Sequence, residues 1–257
     1  MTAPRRGGRG AGPGVGAAGG RNGGSAAIGD TNGGRGVEHY FSRAPGAESR
    51  PGLVEYALPG AADGILRFFT DSGVFSRERV DYGTDLLIRS LPVLRGRVLD
   101  LGCGYGALGI AAARLSPEAD VYFVDVNERA VALCRENLLR NRAEGDVGDL
   151  DAATDATGGV LRSGERVFCS DGFSGLGGAV FDTIITNPPI RTGKANLFRL
   201  YRECRAHLAE DGALYLVIQR KQGLESTFAE LLRVFGNCAD VARRGGFHVL
   251  RAGASGK

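Results

Sequence analysis

The stretch "GRVLDLGCGYGALG", residues 96–109, decides the fold. Val98, Leu99 and Leu101 form an apolar run too short for a helix and bounded by glycines, so it reads as a buried strand. Asp100 stands near its end, and Gly102, Gly104 and Gly106 follow at alternate positions before the alanine-rich helix "ALGIAAARLSP" at 107–117. A strand that turns on glycines into a helix opens a βαβ unit. Its turn presents backbone N–H groups at the carboxyl edge of the sheet, where such folds bind ligands.

The pattern repeats outward. "DVYFVDVN" (120–127) is a second strand and "ERAVALCRENLLRNR" (128–142) a helix. "ERVFCSDGF" (165–173) and "FDTIITNPP" (181–189) read as a third and a fourth strand. "NLFRLYRECRAHLAEDG" (196–212) reads as a helix with a glycine stop, "ALYLVIQRKQG" (213–223) as a fifth strand, "LESTFAELLRVFG" (224–236) as a helix and "FHVLRAG" (247–253) as a final short strand. Upstream, "GLVEYALPG" and "GILRFFTDSG" form a hairpin-like lead-in, and "DYGTDLLIRSLP" (81–92) a helix ending before Pro92. Alternating strands and helices predict an α/β, doubly wound, mostly parallel sheet with helices on both faces.

The glycine loop parses two ways. Gly104, Gly106 and Gly109 satisfy G-x-G-x-x-G, the dinucleotide pattern, while Asp100 with Gly102, Gly104 and Gly106 satisfies D-x-G-x-G-x-G, the loop of S-adenosylmethionine (SAM) enzymes. A carboxylate beside the loop repels a pyrophosphate but suits a ligand with a cationic amino-acid end. Asp125, at the end of the second strand, can hold ribose hydroxyls in either class. The fourth strand favours SAM. Its Asn187-Pro188-Pro189 corner must stop the strand, because proline lacks an N–H and forces the preceding residue extended. The Asn187 side-chain oxygen and the Pro188 carbonyl then become fixed acceptors for an NH2 group whose lone pair is delocalised and therefore weakly nucleophilic. Methyl transfer to such a nitrogen needs alignment and acceptors that strengthen as charge builds, not a strong base.

Composition bounds the remainder. The chain has 257 residues, a hydrophobic fraction of 43% and no apolar run long enough to span a bilayer. "MTAPRRGGRG" lacks the apolar segment of a secretory signal, so the expectation is a cytoplasmic protein without membrane contact. Cys103, Cys134, Cys169, Cys204 and Cys238 show no paired spacing, which excludes a zinc or disulfide framework and predicts free thiols and no metal. Residues 1–36 are rich in glycine and arginine and poor in large apolar side chains, predicting a disordered tail. The acidic, glycine-rich stretch 143–165 predicts a long surface loop.

Taken in order, "HYFS" (39–42), "TDSGVFSRERVDYGTDLLI" (70–88), "VLDLGCGYGALGIAAA" (98–113), "VDVNERAVALCRENLLRN" (124–141), "NPPIRTGK" (187–194) and "VIQRKQG" (217–223) resemble the class I SAM-dependent methyltransferases of the small MTS-domain family, which includes bacterial 16S rRNA guanine-N2 methyltransferases. The resemblance implies a seven-stranded Rossmann-like methyltransferase sheet with the short hairpin before it, in a domain covering 37–257. It implies that Asp100, Gly102, Gly104 and Gly106 line the methionine and ribose region, that Asp125 holds the ribose and that Ser170 and Asp171 meet the adenine. It implies that Asn187, Pro188, Pro189 and Ile190 receive the target amine of an RNA, with small-subunit rRNA as the expected substrate.

Ile190 departs from the aromatic that many amine methyltransferases carry there, which weakens stacking. The larger rRNA enzymes resemble a tandem duplication with an N-terminal pseudo-domain, whereas the residues before 81 read here as a short lead-in and a tail, so target recognition is expected from a second subunit, as in a homodimer, or from the Arg/Lys surface. "TDSGVFS" (70–76) reads as a cover for the cofactor with Phe75 as an apolar lid, and Asp81, Gly83 and Thr84 as neighbours of the methionine end. Arg191 with Lys194, and Arg220 with Lys221, are candidates for phosphate contacts. His207 reads as a helix-face residue. The same acceptors would also suit a glutamine side-chain amide in a protein; a nucleotide-binding oxidoreductase and a non-catalytic RNA-binding module are the remaining alternatives.

Overall fold

Val98 and Leu99 turn to opposite faces of one sheet, and both are fully buried. That is why the strand carries no polar alternation: a parallel sheet covered on both sides buries every side chain. The computed structural model describes residues 43, 46–60, 64–141 and 166–253. The tail 1–36, "HYFS" and the acidic stretch 143–165 lie outside the described residues.

The chain begins with an antiparallel hairpin, β1 (Gly52–Ala57) and β2 (Ile65–Thr70). Helix α1 (Tyr82–Ser90) follows, then β3 (Gly96–Leu101), α2 (Ala107–Leu115), β4 (Ala119–Asp125), α3 (Glu128–Arg140), β5 (Val167–Cys169), β6 (Phe181–Thr186), α4 (Lys194–Ala206), β7 (Leu208–Gln219), α5 (Leu224–Phe235), β8 (Ala239–Arg244) and β9 (Phe247–Gly253). The seven strands after the hairpin form one sheet in the order β5-β4-β3-β6-β7-β9-β8. Only β9 runs against the others. The doubly wound, mostly parallel, seven-stranded sheet with a lead-in hairpin is as expected.

The two cores follow from strand alternation. Val98, Phe123, Ile185, Val217 and Val249 pack under the hairpin and α1–α3, whereas Leu99, Val124, Ile184, Leu216 and Leu250 pack under α4 and α5. Strand order reverses between β3 and β6, so their carboxyl ends diverge and open a crevice.

Three elements differ from the sequence reading. Strand β8 went unseen because "ADVARR" is a charged edge strand, mostly exposed, with no apolar face to announce it. Helix α4 stops at Ala206, not at Gly212; His207 is its C-cap, and its Nδ1 lies 2.7 Å from the Ala179 carbonyl while its ring stacks on Phe173 at 4.3 Å. "LAEDG" therefore begins β7, with a register irregularity against β6.

The hairpin is fastened by α3. Asn137 accepts from Phe69 N (2.7 Å) and donates to Phe69 O (2.9 Å), and Asn141 repeats both bonds with Arg67 at 2.9 Å. Residues four apart on a helix and two apart on a strand have similar spacing, so the two amides satisfy the open edge of β2.

Candidate functional site

The glycine loop bends because three of its amides find acceptors on β4. Gly102 N and Cys103 N both donate to the Val124 carbonyl, at 2.8 and 2.9 Å, and Gly104 N donates to Asp125 Oδ2 at 2.8 Å. Gly102 and Gly104 have φ of +76° and +56°, a left-handed conformation that favours glycine, and nothing lies within 4 Å of where their Cβ atoms would project. They line a cleft of about 650 Å³ together with Asp100, Asp125, Ser170, Asp171, Thr84 and the Asn187–Ile190 corner. That size suits a small-molecule site.

Asp100 is 1% exposed. Its Oδ2 accepts from Gly109 N at 2.8 Å, but its Oδ1 has no partner among the described residues. Burial pushes its carboxyl up to about 8, opposed by the Gly109 N–H and aided by the negative charge of Asp125. Burial likewise raises Asp125, whose oxygens accept from Gly104 N and Asn127 N. An orphaned buried carboxylate oxygen beside a bare glycine cradle fits a cofactor with a cationic amino-acid end.

Across the cleft, the corner is an inverse γ-turn about Pro189 (φ −74°, ψ 78°), closed by Ile190 N donating to Pro188 O at 2.9 Å. One lone pair of the Pro188 carbonyl is thus already used. Asn187 Nδ2 donates to Thr84 Oγ1 at 3.0 Å and faces both Asp81 carboxylate oxygens at 3.3 Å. Because an amide's nitrogen and oxygen point apart, these contacts commit Asn187 Oδ1 to the role of acceptor, and none of the described residues donates to it. Asp81 also caps α1 through Gly83 N and Thr84 N. The helix start and the Asn187 corner therefore share one carboxylate.

The geometry places the remaining candidates as follows. The Thr84 hydroxyl accepts from Asn187 Nδ2. Gly106 does not line the cleft: at φ +96° it starts α2, and a Cβ there would lie 2.9 Å from Cys134 Sγ, so it is required for packing against α3. The Ser170 hydroxyl is engaged by Gly175 N (2.7 Å) and Ser174 Oγ (3.1 Å), which shapes its loop, while Asp171 is exposed at the rim, 3.7 Å from Arg199. Phe75 is exposed and borders the cleft, with Gly73 held by Asn127 Nδ2 at 2.8 Å. Asn127, Gln219, Gln222 and Phe247 line the cleft without having been picked out from the sequence. Only Asn127 carries a local signal, as the N-cap of α3.

Asp100 pairs in register with Ile185, two residues before Asn187, so the glycine loop after β3 and the Asn187-Pro188-Pro189 corner after β6 stand side by side at one sheet edge. The family model described as methyltransferase small domain matches residues 65–251. The chain belongs to that family. It is accordingly a methyltransferase whose methyl donor is S-adenosyl-L-methionine, as the loop and its carboxylate predict.

Among relatives of this family member, the uncharacterized protein YbxB of Bacillus subtilis is 34% identical over 84% of this chain and 98% of its own length. Ribosomal RNA large subunit methyltransferase G of Streptomyces avermitilis is 36% identical over 70% of this chain but 43% of its own. The solved 16S rRNA N2 G1207 methyltransferase of T. thermophilus, in complex with AdoMet and guanosine, superposes with a TM-score of 0.63 at 27% identity, over 80% of this chain and 51% of that one. The chain thus spans about half the length of the rRNA methyltransferases it matches.

Proposed function

We propose that this protein methylates the exocyclic N2 amine of a guanine in ribosomal RNA, most directly in the small subunit, with residues 37–257 as its catalytic domain. The observation that carries this reading is Asn187, a cleft-lining residue whose Nδ2 is held by Thr84 and Asp81 and whose Oδ1 accepts from none of the described residues. The likeness to a 16S rRNA N2 methyltransferase with guanosine supports the choice of amine.

When bound, SAM supplies an electrophilic methyl group on a sulfonium. Asp100, with Gly102 and Gly104, would hold its amino-acid end, and Asp125 its ribose. Asn187 Oδ1 and the remaining lone pair of Pro188 O accept the two N–H bonds of the target amine and turn its lone pair toward the donor side. Both acceptors gain strength as positive charge builds on nitrogen. Neither is a base, so the proton is shed to water after the charge has formed. Ile190 offers the base an apolar contact.

The test is methylation with labelled SAM of rRNA and ribosomal subunits from a strain lacking the gene, followed by nucleoside mass spectrometry. Labelled N2-methylguanosine in 16S rRNA is the expected product. Label in 23S rRNA would move the target to the large subunit, and label only in protein would select a glutamine amide.

A further inference from the structure

Order along the carboxyl edge continues past Asn187. Gln219 ends β7 and pairs with Phe247 of β9, which pairs with Arg244 of β8. Strands β8 and β9 are joined by Gly245 and Gly246, with φ of +57° and +80°, the two-residue turn that matches strand twist. Arg220 N donates to Gly246 O at 2.8 Å, tying the turn to the segment after β7.

Onto this hairpin the start of α1 lays an aromatic shelf. The Tyr82 and Phe247 rings stand 5.5 Å apart, and the Arg244 guanidinium lies 5.6 Å from the Tyr82 ring centre. Two glycines make the fit: a Cβ on Gly245 would sit 3.1 Å from the Tyr82 ring, and one on Gly83 3.1 Å from the Phe247 ring. Yet Tyr82 remains 41% exposed, and both rings border the cleft that holds Asn187.

Four exposed cations line this edge. Arg67, Arg89, Arg95, Arg166 and Arg233 each pair with a carboxylate. Among the described residues, Arg220, Lys221, Arg243 and Arg244 form no ion pair, and all four are exposed. The hairpin's own acidic residue, Asp240, is taken by His248 at 2.8 Å. Charges on an edge strand discourage sheet-to-sheet pairing, but that role needs no exposed ring shelf.

We propose that the β8–β9 hairpin and the Tyr82–Phe247 shelf are the docking platform for the RNA strand beside the target nucleotide, with phosphates on Arg220, Lys221, Arg243 and Arg244 and a flanking base stacked on Tyr82. The platform rests on the reading of RNA as substrate. It supplies on the β7–β9–β8 side the stacking surface that Ile190 lacks, from a ring face and a guanidinium, the combination that holds unpaired bases.

Binding of a fluorescein-labelled, guanine-containing single-stranded RNA is measured by anisotropy across a salt series, alongside SAM calorimetry and rRNA methylation. The R243S/R244S double variant is expected to flatten the log–log salt slope by about 0.7 per arginine. Tyr82→Leu is expected to weaken RNA binding by roughly tenfold or more, and Tyr82→Phe to restore it. Unchanged SAM affinity in each variant shows that the fold is intact. Wild-type RNA affinity and salt slope in both the double variant and Tyr82→Leu would overturn the platform while wild-type methylation of rRNA upholds the function. Absence of RNA binding and of rRNA methylation by the wild-type chain overturns both.

Discussion

Asn187 Nδ2 donates to Thr84 Oγ1 at 3.0 Å, joining residues 103 positions apart in sequence. With Asp81 facing the same nitrogen, the amide is oriented by the start of α1. Asn187→Ala is therefore expected to keep SAM affinity within about twofold and to lower kcat by 10²-fold or more, as for loss of a transition-state acceptor. Thr84→Val and Asp81→Asn, which leave Oδ1 in place but loosen it, should each lower kcat by about tenfold with little change in SAM affinity. Asn still caps a helix, so α1 survives in the second variant. Single-turnover rates beside calorimetric SAM affinities check these values; a full-rate Asn187→Ala enzyme would sink the mechanism.

The buried Asp100 makes stability and cofactor binding depend on pH. Burial raises its carboxyl from 3.8 to about 8, so between those values the folded chain holds a proton that the unfolded chain has released. The sign follows: its contribution to stability is complete below about pH 4 and is lost as pH rises through about 8. A cationic ligand beside Asp100 favours the ionised form, so SAM binding between pH 6 and 7.5 should release protons and tighten with rising pH. Asp100→Asn keeps an acceptor for Gly109 N, and should abolish the proton release while weakening SAM by about tenfold or more. Calorimetry in two buffers of different ionisation enthalpy measures the release.

Gly109 is pinned by the same carboxylate. A Cβ there would come within 2.8 Å of Asp100 Oδ2 and strike the Phe123 ring. Gly109→Ala should cost about 1–3 kcal/mol in urea unfolding, the range for overpacking a filled core, and should weaken SAM binding through displacement of Asp100. Gly102→Ser, at a left-handed residue with open space around it, should instead act mainly on SAM affinity.

Legibility in the sequence tracked how local each signal was. The glycine loop, Asp100, Asp125 and the Asn187-Pro188-Pro189 corner were readable because turn chemistry and strand ends are written in neighbouring residues. The contact of Asp81 with Asn187 was not, since the helix cap and the corner lie 106 positions apart and only the sheet order brings them together. Edge strand β8 hid behind its charges, and Gly106 looked like part of the cradle because spacing alone does not say which side of a loop a missing Cβ faces. Tyr82 and Phe247 carry no local signal, since the β8–β9 hairpin and the start of α1 bring them together at the cleft only in the fold.

Asn137 offers the sharpest stability test, since its side chain replaces a strand. It is fully buried and makes hydrogen bonds to Phe69 N, Phe69 O and Tyr105 O, the last at 2.9 Å. Asn137→Ala leaves those backbone groups unsatisfied beneath the hairpin, at about 1–3 kcal/mol for each group that water does not reach. The expected loss is roughly 2–4 kcal/mol in urea unfolding, whereas Asn141→Ala, at the more exposed end of the same clamp, should cost about 1 kcal/mol. Because Tyr105 lies in the glycine loop and Gly73 follows β2, loosening this clamp should also raise hydrogen exchange across residues 65–75 and weaken SAM binding. Equal effects of the two substitutions, or exchange confined to α3, would show that the hairpin is held by apolar packing and not by the asparagine pair.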